Sequence, residues 1–276
     1  MAPFLTHLMV GERVWAGLPD ENGRSDHAAH YGTFLFGCLA PDVDKFCAGL
    51  EQDTTHFVAK DRGFAWVERR TPRFLERPDE FLRAPFGELA AGEQALALGY
   101  LCHVATDEAT GRLARRLTEH LNAIGQPWPH VDAFLTVIDP RLWALARDPE
   151  GMVAALAAAR IPDGTFPFAP IDCLEAMHHV VLPQVREGGG LRPYLGMVRR
   201  HWYWRRHGRV SDADDDPALE QDLEAHRRRV EEGLAYSEAL VDELGLEPFV
   251  QEAVEHSSRC LAALLAQEKR HDTAGL

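Results

Sequence analysis

His103 and Asp107 stand four residues apart in the stretch Leu98-Gly99-Tyr100-Leu101-Cys102-His103-Val104-Ala105-Thr106-Asp107. On a helix that spacing puts an imidazole and a carboxylate on one face, one turn apart. Such a pair can chelate one cation, or can simply hydrogen-bond. Gly99 and Gly111 lie one turn before and one turn after on the same stripe, and small residues there leave room for an ion or for another segment's backbone. Three more metal-competent side chains precede them. His7 falls among Phe4, Leu5, Leu8 and Met9, where a solvated histidine is not expected and a core histidine or a ligand is. Asp42 follows Pro41 at the end of the apolar run 32–40. There it serves as a turn residue, a helix cap or a ligand. His56 follows Thr54 and Thr55 at an apparent helix start, as a surface residue, a capping residue or a ligand.

The elements that must position these groups read as helices. Apolar residues recur at three and four along the chain and rarely at two, as in Leu96-Ala97, Leu101, Val104-Ala105, Leu113 and Leu117. The Ala-rich stretches 152–160 and 260–269 cost little side-chain entropy in a helix. Val180-Val181-Leu182 is the best β-branched run, and Pro183 ends it at once. The chain is therefore expected to be all-α, with about nine or ten helices. Breakers mark the joints at 18–26, Pro41, Pro78, 125–129, 161–170 and 188–190, and the acidic stretch 211–217 is placed to cap the helix after it. One helical domain spanning 1–276 is expected, with a metal-site half over 1–125, supporting helices over 126–276 and a sub-boundary near 161–170.

The order and context of Thr6-His7, Gly37-Cys38-Leu39-Ala40-Pro41-Asp42-Val43-Asp44, Thr55-His56-Phe57 and G-x-x-x-H-x-x-x-D over 99–107 resemble the zinc-dependent phospholipase C family, an all-helical family related to the zinc-dependent single-strand nucleases. The likeness covers about residues 5–112. It implies one zinc ion held by Asp42, His56, His103 and Asp107, and a second at His7 with Asp107 bridging the two. It also implies that Asp42 orients or deprotonates the water that attacks a phosphodiester. The donor set suits zinc, and zinc makes hydroxide available near neutral pH. The chain departs from the pattern further on. Gly111 stands where the family carries another histidine, and His130 is followed four residues later by Phe134 where a His and Glu one turn apart are expected. These departures argue against a third ion. Glu175 and His179, four apart beside Asp172 and His178, are candidate substitutes with the order reversed.

Other features read more plainly. The basic and aromatic run 199–207 is a phosphate platform or, more simply, an amphipathic helix with its aromatics inward and its arginines snorkelling. Asp26, His27 and His30 read as a polar loop feeding a helix, and 220–243 as a solvated charged face. No Walker loop, GxGxxG, GxSxG or HExxH is present.

Composition bounds the function. Of 276 residues 46% are hydrophobic, and the net charge of −14 offers no broad basic footprint for duplex nucleic acid or anionic lipid. A local phosphate site built on a cation is compatible with that charge. Five cysteines without a C-x-x-C pair read as free thiols of a reducing compartment. With neither a basic, apolar leader nor 18 uninterrupted apolar residues, the expectation is a cytoplasmic protein without a transmembrane segment. The expected function is hydrolysis of a phosphate ester or phosphodiester, on a small phosphorylated substrate or a phospholipid headgroup. The alternative is a helical metal-binding protein that has lost catalysis and acts by binding a partner. The sequence leaves the oligomeric state open.

Overall fold

The structure is a computed structural model and describes residues 4–18, 29–47, 49–56, 70–209 and 216–274. Among these the chain is helical and holds no strand. The order is α1 (Phe4–Gly17), α2 (Tyr31–Gly37), a 3-10 turn (Ala40–Phe46), α3 (Gln52–Thr55), α4 (Arg70–Glu76), α5 (Ala91–Ile124), α6 (Val131–Trp143), α7 (Pro149–Ala157), α8 (Ile171–Glu187), α9 (Leu191–His207), α10 (Pro217–Leu244) and α11 (Glu247–Ala274). The all-α expectation holds. Among the described residues the α-helices outnumber the expectation by one, the very short α3, which carries no apolar period of its own. The Val180-Val181-Leu182 run lies inside α8, which carries Pro183 within it.

The 34-residue helix α5 is the axis. Glu93 starts it by accepting the Ala90 N–H at 3.0 Å, the reach-back half of a capping box. Gly125 ends it at φ +68°, a left-handed conformation that glycine adopts without strain. Around α5 pack α11, α2, α1 and α4. The approach of α2 is close because glycine meets glycine. A Cβ on Gly99 would run into the Phe34 carbonyl oxygen and fall 2.8 Å from the Gly37 Cα. This closeness brings Cys38, just past α2, against the face of α5 that carries His103.

The apolar core runs continuously from Phe4 to Leu264, with a small satellite at Leu117, Leu121 and Leu240. Helix α1 is buried around most of its circumference and is pinned at both ends. Asp139 on α6 accepts the Thr6 N–H at 3.1 Å, and Glu12 accepts the N–H groups of Arg147 and Asp148 at 2.8 and 2.6 Å. Asp216 caps α10 by accepting the Leu219 N–H, as expected of the acidic stretch; 211–215 lie outside the described residues. The 199–207 run forms the C-terminal part of α9, with Tyr203 buried and Arg205 and Arg206 exposed. It buttresses the 3-10 turn: His201 Nε2 donates to the Lys45 carbonyl at 2.6 Å, and Phe46 packs on His201 and Trp204. The 220–243 stretch is largely exposed on α10, laced by Arg227 and Arg228 onto Glu224.

Candidate metal centre

Four separate segments bring five donors to one place. Helix α1 supplies His7, the 3-10 turn supplies Asp42, the residue after α3 is His56, and α5 supplies His103 and Asp107. All five are buried, four at 0% exposure and Asp107 at 2%. His56 ends a short helix rather than starting one. Thr54 and Thr55 therefore lie inside the turn, and 57–69 lie outside the described residues.

Hydrogen bonds on the far side of two rings decide which nitrogen faces inward. His103 Nδ1 lies 2.8 Å from the Cys38 carbonyl. A carbonyl only accepts, so Nδ1 carries the proton and Nε2 presents its lone pair. His56 Nδ1 lies 2.9 Å from the Thr55 hydroxyl, which itself donates to the Gln52 carbonyl; Nδ1 is then the donor and Nε2 again points in. Tyr100 donates to the Thr55 carbonyl from inside α5 and fixes the turn that presents His56. His7 has no hydrogen-bond partner on either ring nitrogen, and its ring stacks on His103 at 3.7 Å between centroids and 5° between planes.

The inward atoms stop short of one another. His56 Nε2 lies 3.4 Å from His103 Nε2 and 3.6 Å from Asp42 Oδ1. Asp107 Oδ2 lies 3.6 Å from His56 Nε2 and 3.8 Å from His103 Nε2, while Asp107 Oδ1 lies 3.7 Å from His7 Nε2. Asp42 Oδ1 pairs with the Lys45 ammonium at 2.6 Å. Except for that pair, the separations exceed the usual range of about 2.7–3.2 Å for a hydrogen bond. They lie near the roughly 3.4 Å edge of a tetrahedron of donors about 2.1 Å from a central ion. Two groupings lie within one ion's reach: His7, His103 and Asp107, and Asp42, His56 and His103.

Protonation favours ligation as well. Burial holds His7 well below the ordinary histidine value, aided by the neighbouring His103, and burial lowers His103 too. Both rings are thus neutral at pH 7, the form that donates to a metal. Burial by itself would raise Asp42, but Lys45, His103 and His56 outweigh it and hold the carboxyl at about 2, so it is ionised. The buried donors fit a divalent cation of zinc's preference, imidazole nitrogen with carboxylate oxygen.

Residues 6–110 match the zinc dependent phospholipase C family. The resemblance read from the sequence is thereby borne out over that segment. No curated protein and no solved structure matches the chain. The matched segment contains all five converging donors and stops before α6, α8 and α9, whose residues line the space beside Asp42 and Lys45.

The remaining candidates do not converge on the centre. Glu175 and His179 are exposed on α8, and His178 Nε2 donates to the Leu156 carbonyl at 2.9 Å with its ring edge-on to Phe36. Gly111 is half-buried, His130 precedes α6, and Phe134 packs among apolar residues. Asp26 and His27 lie outside the described residues, and His30 precedes α2. Sequence reasoning missed Lys45, whose place three residues after Asp42 in a tight turn was a usable signal. It also missed Cys38, Thr55 and Tyr100 as orienters. Their roles depend on which carbonyl or hydroxyl a distant segment brings, and no local pattern records that.

Proposed function

We propose that this protein is a zinc-dependent hydrolase of phosphate esters or phosphodiesters. The observation that carries the reading is the convergence of five buried donors at separations too long for hydrogen bonds and right for a shared ion. In this reading Asp42, His56, His103 and Asp107 hold one ion, and His7 holds a second. Asp107 would contribute to holding both, with Oδ2 facing His56 and His103 and Oδ1 facing His7. Zinc would supply an acidified water, its pKa lowered from about 15.7 to about 7, and would offset charge on a phosphoryl oxygen.

The chain's own groups do the rest. Asp42 Oδ1 is engaged by Lys45 and Oδ2 has no hydrogen-bond partner, so Oδ2 is the acceptor that orients the attacking water and takes its proton. Lys45 steadies that carboxylate and adds positive charge where an anionic substrate must arrive. The carbonyl of Cys38 and the hydroxyl of Thr55 hold two imidazoles in their donating tautomers. Helices of the 126–276 half close the centre off from water, while 1–125 supplies the ligands. Among the described residues no helix is long and apolar enough to cross a membrane.

The test combines elemental analysis with turnover. The purified protein should carry at least one zinc per chain and release nitrophenol from bis(p-nitrophenyl) phosphate. Removal of zinc by chelation should abolish that activity, and re-addition should restore it. Zinc with no hydrolysis of any phosphate ester would favour the binding-protein alternative. A folded, metal-free protein after supply of zinc would overturn both.

A further inference from the structure

Four of the five cysteines pair in space although none are close in sequence. The Cys38 thiol hydrogen-bonds Cys102, and the Cys173 thiol hydrogen-bonds Cys47. The two pairs differ in access. Cys38 and Cys102 are both 0% exposed, and Cys38 Sγ is pressed against α1, where a Cβ on Gly11 would fall 2.7 Å from it. An oxidant has no route to a sulfur packed in this way. Cys47 and Cys173 are only half-buried and lie where α8 packs on the 3-10 turn. Cys47 closes the turn that carries Asp42 and Lys45, and its carbonyl accepts the Leu50 N–H at 3.2 Å. Cys173 stands in the first turn of α8, its N–H donating to the Pro170 carbonyl at 3.1 Å. Local bonds thus hold both backbones, and the thiols meet where solvent reaches them.

Two thiols in contact need only a short approach to reach the sulfur–sulfur bond of about 2 Å. We propose that Cys47 and Cys173 are a reversible disulfide site, oxidised by a low-molecular-weight disulfide, which clamps the end of the Asp42-bearing turn to α8. Burial and the neighbouring Cys47 push the Cys173 thiol up to about 12, so Cys173 keeps its proton and the first attack belongs to Cys47. The Cys47 thiolate attacks one sulfur of the oxidant, whose S–S bond breaks, and the leaving thiolate takes up the proton that Cys47 released. Cys173 then attacks Cys47 Sγ in the mixed disulfide, and its proton goes to the second thiol that leaves. Two protein thiols are oxidised, and one small disulfide is reduced to two thiols. The clamp closes a loop of nearly half the chain, the case in which a cross-link restrains the unfolded chain most. Its effect on Asp42 rests on the metal reading above; the cross-link itself does not.

The full chain, supplied with zinc, is incubated with oxidised glutathione, alkylated, unfolded and its free thiols counted. Expected are the loss of two of the five thiols, a Cys47–Cys173 peptide two hydrogens lighter than its two parts, and full recovery with dithiothreitol. Oxidation should also raise the urea midpoint by about 1 M. Cys173→Ser should stop at a glutathione adduct on Cys47, and Cys47→Ser should keep its remaining thiols free, neither gaining stability. Five thiols after oxidation, a lasting glutathione adduct on the parent, or a cross-link through Cys38, Cys102 or Cys260 overturns the site. Zinc transfer to a chromogenic chelator should be at least about threefold slower from the oxidised protein. An equal or faster transfer overturns the clamp on Asp42 and leaves the cross-link standing. If the protein takes up no zinc, the metal reading falls and the thiol count decides the cross-link on its own.

Discussion

Asp107 and Glu108 are adjacent on α5, both carboxylates and both buried, and their two neighbourhoods differ. Around Asp107 three imidazoles halt at 3.6 to 3.8 Å. Around Glu108 every approach closes to hydrogen-bond length: the N–H and hydroxyl of Thr71 at 2.7 Å and His256 Nε2 at 2.6 Å. The second region is a finished network that ties α4 and α11 to α5. The first holds the same residue types at a spacing that leaves room for an ion between them. Buried acid and imidazole alone therefore do not mark a candidate metal site; the gap between them is what distinguishes it.

Breaking the first region should have the largest effect. Asp107→Ala removes the carboxylate that faces all three imidazoles, so zinc content should fall towards zero and phosphodiesterase activity to background. Unchanged zinc by elemental analysis would refute the assignment. Gly99→Ala attacks the same region from behind. Its methyl meets the Phe34 carbonyl and the Gly37 backbone, neither of which can swing aside. A loss of about 3 kcal/mol is expected, together with weakened zinc binding, because Cys38 is carried away from His103. A urea midpoint equal to that of the parent would show that the glycine contact is dispensable. Glu108→Gln should do the reverse of Asp107→Ala, costing about 2 kcal/mol through a weakened buried network while zinc stoichiometry stays at the parent value.

The contrast also explains what was legible in the sequence. The periodicity of α5 and the breakers around it pointed to the helical class, and the i, i+4 pair at His103 and Asp107 supplied half the centre. His7, Asp42 and His56 became readable only through their order and context in a family pattern, since each alone has an ordinary structural explanation. Glu108 was invisible as a network residue because its partners lie 37 and 148 positions away. The meeting of Cys47 with Cys173 was illegible for the same reason: it is assembled by packing, and no spacing along the chain encodes it. Lys45 was the avoidable miss, since a cation one tight turn from a buried Asp pairs with it by local geometry.

The smallest expected effect lies in the second region and is a matter of pH. Hydrogen bonds to Cys260 and Glu108 hold the His256 imidazole protonated and raise it from 6.5 to about 9. A group raised on folding contributes its full stability below the unfolded value. It loses that contribution as pH climbs from about 6.5 through about 9. At about 1.4 kcal/mol per tenfold the ceiling is near 3 kcal/mol, and solvent screening of a partly exposed ring brings this to about 1–2 kcal/mol. The difference in unfolding free energy between the parent and His256→Gln should therefore be largest near pH 6 and shrink towards pH 9. The comparison is best made on the zinc-free protein, so that ligand titration at the centre does not enter. A difference that stays flat over that range would mean that His256 bonds Glu108 as a neutral ring. The network would then hold by hydrogen bonding alone, and the two carboxylates would differ in spacing but not in the charge of their partners.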